Sequence, residues 1–373
     1  MKTYLVGGAV RDMLLGIKPK DKDWVVVGST ANEMIKLGFI KIAANFPIFI
    51  NQKTKDEYAL ARTETKNGSG YKGFETIFST NTSLSDDLKR RDLTINSIAT
   101  DDNNNIIDPF KGCDDIKNRV LRHTSNAFSE DPLRVVRLAR FKAQLSDFGF
   151  SIDPNTITLS RNLSKSGELN CLTIERLNIE FVKSLHNPYI FFHTLNDLNA
   201  LEVVFPYIHS IVNMIENDDL FKNELYFQSS TEQKIALSFF SIKNIKASTI
   251  TSELSLTNKQ HHLLLALTNI HQITSQHLSA NTILKLLKEC NILRNKNLRR
   301  VALSTYTTYT KILHNDHLAI NLNKISDICT SLDNLDIQKH LVDIDKTQVK
   351  DTINKLNIDT INNHIKRAIM NKL

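Results

Sequence analysis

The first two dozen residues constrain this chain most. Tyr4-Leu5-Val6 is a short apolar lead-in to Gly7-Gly8, and Arg11 to Leu15 read as the opening of a helix. Eight residues separate Asp12 from Asp21-Lys22-Asp23, which stands directly before Trp24-Val25-Val26-Val27, a run with strand composition. Glycine suits a place where backbone approaches a ligand closely or takes positive φ. The free N–H groups of a helix start favour phosphate oxygens. Residues i and i+2 of a strand share a face, so Asp21 and Asp23 are expected to converge on one point, as a hard cation such as Mg²⁺ requires. Each piece alone is weak: an Asp-x-Asp usually marks a solvated turn, and so does a glycine pair after a strand. The information lies in their combination and spacing.

The rest of the composition sets bounds. With 373 residues the chain is long enough for two or three domains with buried cores. Hydrophobic residues at 41% and charged residues at 23% match an ordinary globular protein, not a disordered one. No apolar run approaches the roughly eighteen residues of a membrane span. Met1-Lys2-Thr3-Tyr4-Leu5-Val6 runs straight into the glycine pair without the pattern of a signal peptide, so a cytoplasmic location is expected. The net charge of +7 fits a polyanionic partner. It is not segregated, since residues 1–150 carry 23 Lys and Arg against 19 Asp and Glu, and the remainder 24 against 21. Cys113, Cys171, Cys290 and Cys329 lack Cys-x-x-Cys spacing, which argues for reduced thiols and against a zinc site.

Residues 1–120 alternate short strand-like runs with short helices and Gly or Asn/Asp turns. Phe39 to Ile42 and Phe46 to Ile50 are two apolar runs, with Pro47 expected at a strand start or edge because it cannot donate to a ladder. Asn51 to Asp56 reads as a polar hairpin turn, and Glu57 to Arg62 as the return strand. Asn67 to Gly73 is Gly-rich and reads as a mobile loop. From Asp131 onward the pattern is helical almost throughout, with Leu133, Val136, Leu138 and Phe141 at helical spacing and breaks at Pro154 and Pro188. Ile361, Ile365 and Ile369 fall four apart, one stripe of an amphipathic helix best read as ordinary packing.

Gly-Gly-x-Val-Arg-Asp, eight residues and then Asp-x-Asp opening an apolar strand resembles the signature of the polymerase-β-like nucleotidyltransferases, in the class (class II) that holds bacterial CCA-adding enzymes and poly(A) polymerases. Arg90-Arg91-Asp92-Leu93-Thr94-Ile95-Asn96 matches that family's Arg-Arg-Asp-hydrophobic-Thr-Ile-Asn motif nearly letter for letter. The bland reading of this segment is a solvated helix face, with Leu88, Leu93 and Ile95 as anchors and Arg90 and Arg91 pointing outward. By resemblance, Arg91 contacts the nucleotide, while Asp92 and Asn96 help hold the ribose and metal region. Arg suits phosphate because its planar fork donates two hydrogen bonds at once. The resemblance makes Glu57 a candidate third carboxylate beside Asp21 and Asp23, although an acid in a hairpin is more often merely exposed. Ile106 to Gly112, with Asp114-Asp115-Ile116, resembles the next block and reads as a strand, a Pro-Gly turn and a helix start with Asp caps.

In Glu130-Asp131-Pro132-Leu133-Arg134, Asp131 fits a helix cap and Pro132 the first turn. Arg134, Arg137 and Arg140 fall three apart on one face, which by itself is a basic surface stripe. By resemblance to the family's Glu-Asp-x-x-Arg pattern, Asp131 and Arg134 face the incoming base, and Arg137 and Arg140 also line the nucleotide site. Thr173-Ile174-Glu175-Arg176, with Glu180, resembles a last shared block, a neck helix that braces the site. The resemblance covers residues 1 to about 185. Some bacterial relatives carry a metal-dependent phosphohydrolase domain beyond that point. This chain has no His-Asp dipeptide, so no phosphohydrolase activity is expected.

The resemblance therefore implies an α+β fold: a polymerase-β-like nucleotidyltransferase head with a small mixed sheet and helices at 1–125, an all-α neck at 126–185, and an all-α body and tail at 186–373 that binds tRNA. It implies Mg²⁺-dependent addition of CCA to the 3′ end of tRNA from CTP and ATP. Asp21 and Asp23 would hold the metal, Glu57 would join them in catalysis, and Gly8, Arg11 and Arg91 would position phosphates with support from Gly7. A poly(A) polymerase, or an enzyme adding only A or only CC, shares the head, and the loop at Gly68–Gly73 is where these are expected to differ. A non-catalytic RNA-binding module is the reading from another class. The intact set Asp21, Asp23 and Arg91 argues against it.

Overall fold

The computed structural model describes residues 1–42, 47–66, 74–215, 219–341 and 344–370. The Gly-rich stretch 67–73 lies outside them. The chain forms two compact units, one of Met1–Ser184 with Ile190–His209 and the other of Leu185–Tyr189 with Ser210–Leu373. The head and neck expected at 1–125 and 126–185 thus fall almost wholly within the first unit.

The first unit is built on a seven-stranded mixed sheet. Strand β1 (Lys2–Val6) runs into helix α1 (Gly8–Leu14), then β2 (Asp23–Val27) and α2 (Ala31–Lys36). Next come β3 (Ile40–Lys41), β4 (Ile48–Ile50), β5 (Glu57–Leu60) and the separate hairpin β6 (Arg62–Lys66) with β7 (Phe74–Phe78). Helix α3 (Leu84–Lys89), β8 (Ala99–Thr100) and β9 (Ile106–Ile107) complete the head. The order across the sheet is β3-β4-β5-β2-β1-β8-β9, with β2 and β5 parallel and the other pairs antiparallel. Strand β2 lies near the middle and is covered on both faces. Val25 packs in a cluster with Val6, Ala61, Leu88 and Ala99, and Val26 in another with Met34, Phe49 and Leu60. A strand buried on both faces reads as a continuous apolar run, as Val25-Val26-Val27 does. Each fully buried valine contributes about 1.5–3 kcal/mol.

Asp21 and Asp23 do not share a strand as the i, i+2 alternation requires. Asp21 lies in a bend ahead of β2, which begins at Asp23. The reason is the partner strand: Lys2 pairs with Val27 and Val6 with Asp23, and β1 then ends where Gly7 turns at φ +73°. Nothing remains for residues 21–22 to pair with, so the alternation rule does not place the Asp21 side chain.

Several local readings hold. Asn51 closes the turn between β4 and β5, its Oδ1 accepting from the Lys53 N–H at 3.0 Å. Pro47 precedes β4 and contributes its carbonyl, which accepts from the Leu60 N–H. Helix α4 (Gly112–Asn118) is capped from four residues away, with Asp108 Oδ1 and Oδ2 accepting from the N–H groups of Gly112 and Cys113, both at 2.8 Å. Gly112 is dictated by space: a Cβ there would lie 2.2 Å from the Thr94 carbonyl oxygen. After the short parallel pair β10 (Val120–Leu121) and β11 (Ser151–Ile152) are counted, the rest of this unit is helical, chiefly α5 (Leu133–Gln144), α6 (Pro154–Lys165) and α7 (Ile174–Lys183). Pro132 occupies the cap position of α5, one residue earlier than expected, while Asp131 still caps: its Oδ1 accepts from the Leu133 N–H at 3.0 Å.

The second unit is helical throughout its described residues. Its longer helices are Asn258–Ser275, Lys296–Ile312, Asp316–Asp333 and Val349–Met370. Phe240, His271, Tyr306 and Tyr309 form an aromatic cluster in its interior. Ile361 on the last helix is fully buried, in keeping with a packing stripe. The side chain of Ile369 lies outside the described residues.

Candidate active site

A cavity of about 570 Å³ opens in the first unit, within the range of small-molecule sites. Eight arginines and three aspartates line it among the described residues, a positive excess that suits an anion.

Its base is a chain of buried polar contacts across three segments. Arg11 on α1 donates from Nη1 to Asn96 Oδ1 at 2.9 Å, and Asn96 Nδ2 donates to Asp92 Oδ1 at 3.0 Å. Asp92 Oδ2 accepts from Arg137 Nε at 2.7 Å and pairs with its Nη2 at 2.6 Å. Arg140 Nε donates to Glu180 Oε2 at 2.5 Å, and Arg140 Nη1 to Gln144 Oε1 at 2.8 Å. The Phe141 ring sits among three guanidiniums, with Arg140, Arg11 and Arg137 at 3.7, 5.3 and 5.5 Å from its centroid. A ring face attracts cations, which helps three like charges share one place. Buried charges persist only when paired, and here the carboxylates of Asp92 and Glu180 pair them. Burial pushes the Asp92 carboxyl up, but the Arg137 guanidinium and the hydrogen bonds from Asn96 and the Leu93 N–H outweigh it and hold that carboxyl well below the usual range. Burial lowers the Arg140 guanidinium from its usual value.

The rim is set by backbone. Gly7 takes φ +73°, and a Cβ on it would lie 2.8 Å from Arg91 Nη1. Only glycine leaves Arg91 that space. At the other side, Asp131 Oδ2 pairs with Arg176 Nη2 on α7 at 2.9 Å, and Arg134 Nη1 donates to the Ala127 carbonyl at 2.6 Å.

Gly7, Gly8, Arg11, Asp23, Arg91 and Asp92 all line this cavity, as do Asn96, Asp131, Arg134, Arg137 and Arg140. Asp21 and Glu57 do not line it. Both are exposed, and the parallel register sets Glu57 directly opposite Asp23. Burial pushes the Asp23 carboxyl up, as does the charge of Asp21, while Arg91 and Lys183 oppose both. Asp23 is exposed in area yet lines the cavity. Among the described residues no three His, Cys, Asp or Glu side chains gather closely enough to enclose an ion. Asp21, Asp23 and Glu57 therefore form no closed three-donor cage.

Sequence reasoning missed Arg62 and Phe141 as cavity residues, expected Arg90 to point outward and gave Arg176 only a bracing role. All four line the cavity. Phe141 was within reach, since it stands seven residues after Arg134 and so on the same helical face. Arg62 carried no local signal.

Residues 3–122 match the poly A polymerase head domain family, and residues 149–212 match the probable RNA- and SrmB-binding site of polymerase A. The CCA-adding enzyme of Francisella tularensis subsp. novicida is 52% identical over 368 residues, 98% of this chain and 100% of that protein. That of Francisella tularensis subsp. tularensis is 52% identical over 366 residues, 96% of this chain and all of that one. Among solved structures, the Bacillus stearothermophilus CCA-adding enzyme in complex with CTP superposes with a TM-score of 0.69 at 21% identity, covering 99% of this chain and 94% of that one. The Thermotoga maritima CCA-adding enzyme complexed with tRNA gives a TM-score of 0.62 at 20% identity, covering 98% and 91%. The two solved structures bear out the fold, and identity above one half over essentially the whole length settles the family: this chain belongs to the CCA-adding enzymes, nucleotidyltransferases built on a poly(A) polymerase head.

Proposed function

We propose that the arginine-lined cavity holds the incoming CTP or ATP while this enzyme extends the 3′ end of tRNA with C, C and A and releases pyrophosphate. The observation that carries this assignment is the joining of Arg11, Asn96, Asp92 and Arg137 into one hydrogen-bonded line beneath a cavity with a large excess of guanidinium groups. A triphosphate needs such an excess, and phosphoryl transfer depends mainly on positioning and charge stabilisation. Arg11 and Arg91 would bind phosphate oxygens beside the Gly7-Gly8 turn. Asp131 and Arg134 would read the base, and Arg137 and Arg140 would wall the nucleotide. The 186–373 body would carry the tRNA. A cytoplasmic location fits these substrates, and no described helix is long and apolar enough to cross a membrane.

Asp21 and Asp23 would hold Mg²⁺. They fit it: both are hard oxygen donors, and the upward shift of Asp23 marks a carboxylate whose burial is not matched by the cations around it. An ion held by two carboxylates and completed by water and substrate phosphates is the usual Mg²⁺ arrangement and needs no three-donor cage. When bound, Mg²⁺ supplies charge neutralisation on the triphosphate and a lowered pKa for the attacking hydroxyl. Glu57, opposite Asp23 on β5, would join them from the same face of the sheet. No covalent enzyme intermediate is required.

The test is incubation of the protein with tRNA lacking its CCA and each labelled nucleotide in turn, with sequencing of the 3′ ends. Two C followed by one A is the expected product. A-only or CC-only extension would replace the reading by a partial activity, and a long A tail by a poly(A) polymerase.

A further inference from the structure

Asp87 lies on α3 and is 1% exposed. Its Oδ1 accepts from Arg90 Nε at 3.2 Å and Nη2 at 2.8 Å, and from the Arg62 backbone N–H at 3.4 Å. Its Oδ2 accepts from Arg91 Nε at 3.4 Å and Nη2 at 3.2 Å. Arg62, Arg90 and Arg91 all line the cavity, whereas Asp87 does not. One buried carboxylate thus gathers three cavity residues, two by the guanidinium and one by the backbone at the start of β6.

We propose that Asp87 is a positioning residue for the polyphosphate: it aims Arg90 and Arg91 into the cavity and ties the first residue of β6 to the same point. The inference rests on the cavity being the nucleotide site. Two neighbouring guanidiniums repel each other, and each long side chain samples many rotamers when free. A carboxylate forked between them fixes both and leaves their remaining N–H groups pointing away from it. Gly7 leaves room for Arg91, since a Cβ there would lie 2.8 Å from Nη1, and the Asn96 carbonyl accepts from Nη1 at 3.5 Å. Burial works to raise the Asp87 carboxyl, yet Arg91 and Arg90 outweigh it and keep it below the usual range, so the group stays ionised.

Neutralising two charges and positioning them predict opposite outcomes for Asp87→Asn. The substitution keeps the shape and removes one negative charge, so a charge-only role predicts tighter binding of polyphosphate. An amide has one acceptor oxygen and presents an N–H to one arginine, so a positioning role predicts weaker binding.

The experiment measures Kd for CTP and for pyrophosphate with the full-length protein and Mg²⁺, KM for CTP and for tRNA, and Tm. The expected result for Asp87→Asn is a rise of about tenfold in Kd for both ligands, the scale seen when a supporting side chain behind a ligand-binding group is lost. KM for CTP rises with it and KM for tRNA stays unchanged. Unchanged or tighter binding by a folded Asp87→Asn protein overturns the proposal. Where Asp87→Asn does not fold, Asp87→Glu carries the test. It keeps the charge but displaces the carboxylate by one methylene, so weaker binding supports the proposal and wild-type affinity overturns it. Arg91→Ala separates the two readings: if it leaves CTP binding intact, the nucleotide-site assignment falls. If Arg91→Ala weakens binding and Asp87→Asn does not, only the role of Asp87 falls.

Discussion

Asp131 and Arg176 form an ion pair of 2.9 Å that joins the start of α5 to α7. The other Asp131 oxygen accepts from the Leu133 N–H, and Arg134 is tied to the Ala127 carbonyl. Both proposed base readers are thus held by protein groups, as fixed recognition elements must be. Cytosine and adenine each present an amino donor beside a ring-nitrogen acceptor, whereas guanine and uracil present a carbonyl beside a ring N–H. A carboxylate only accepts and a guanidinium only donates, and each carboxylate oxygen has room for a second donor beside its protein partner. Pairing with C and A is satisfied, and with G and U it sets like against like. Each mispaired group costs about 1–3 kcal/mol. Asp131→Ala and Arg134→Ala are expected to lower incorporation of C and A and to raise the relative use of UTP and GTP by about tenfold. Single-nucleotide incorporation on tRNA ending before C and before A measures this. Wild-type selectivity in both variants would show that the pair does not read the base.

The metal assignment makes a separate prediction. Asp21→Ala and Asp23→Ala should each abolish transfer while fold and tRNA binding persist, because both residues are exposed in area and neither belongs to the apolar core. Chelation of Mg²⁺ should have the same effect on the wild type. Appreciable extension by the double variant with Mg²⁺ present would contradict the assignment.

Acid should loosen the first unit through Asp92. Its carboxyl is held below its unfolded value by Arg137, so the native state binds the proton less readily than the unfolded chain does. The resulting stability is fully present above the unfolded value of about 4 and is lost as pH falls below it towards the native value. Asp92→Asn should cost about 2 kcal/mol at pH 7, on the scale of hydrogen bonds to charged groups, and flatten this pH dependence. Urea denaturation between pH 3 and 7 measures both. An unchanged acid slope in Asp92→Asn would assign the loss to other carboxylates.

Gly7→Ala should weaken nucleotide binding and stability together. The residue sits at φ +73°, where an L side chain is strained by about 1–3 kcal/mol, and its Cβ would displace Arg91. The expected result is a lower Tm and a higher KM for CTP. A variant with a lowered Tm but unchanged KM would show that Arg91 yields without consequence.

The sequence by itself determined the parts that depend on near neighbours. The apolar run Val25 to Val27 made a buried strand, the glycine pair made the turn after β1, and three arginines three apart made one face of α5, because strand and helix periodicities act over a few residues. Tertiary structure decided the rest. Strand β2 starts at Asp23 and excludes Asp21 because β1, its partner, ends at Val6. Asp92 is ionised and buried because Arg137 reaches it from 45 residues away, and Arg140 meets Glu180 across 40. Arg62 and Arg176 join the cavity because a β6 strand end and an α7 face arrive there. No periodicity encodes such meetings: a buried charge is tolerated only where its counter-charge lands, and the packing of distant elements sets that place.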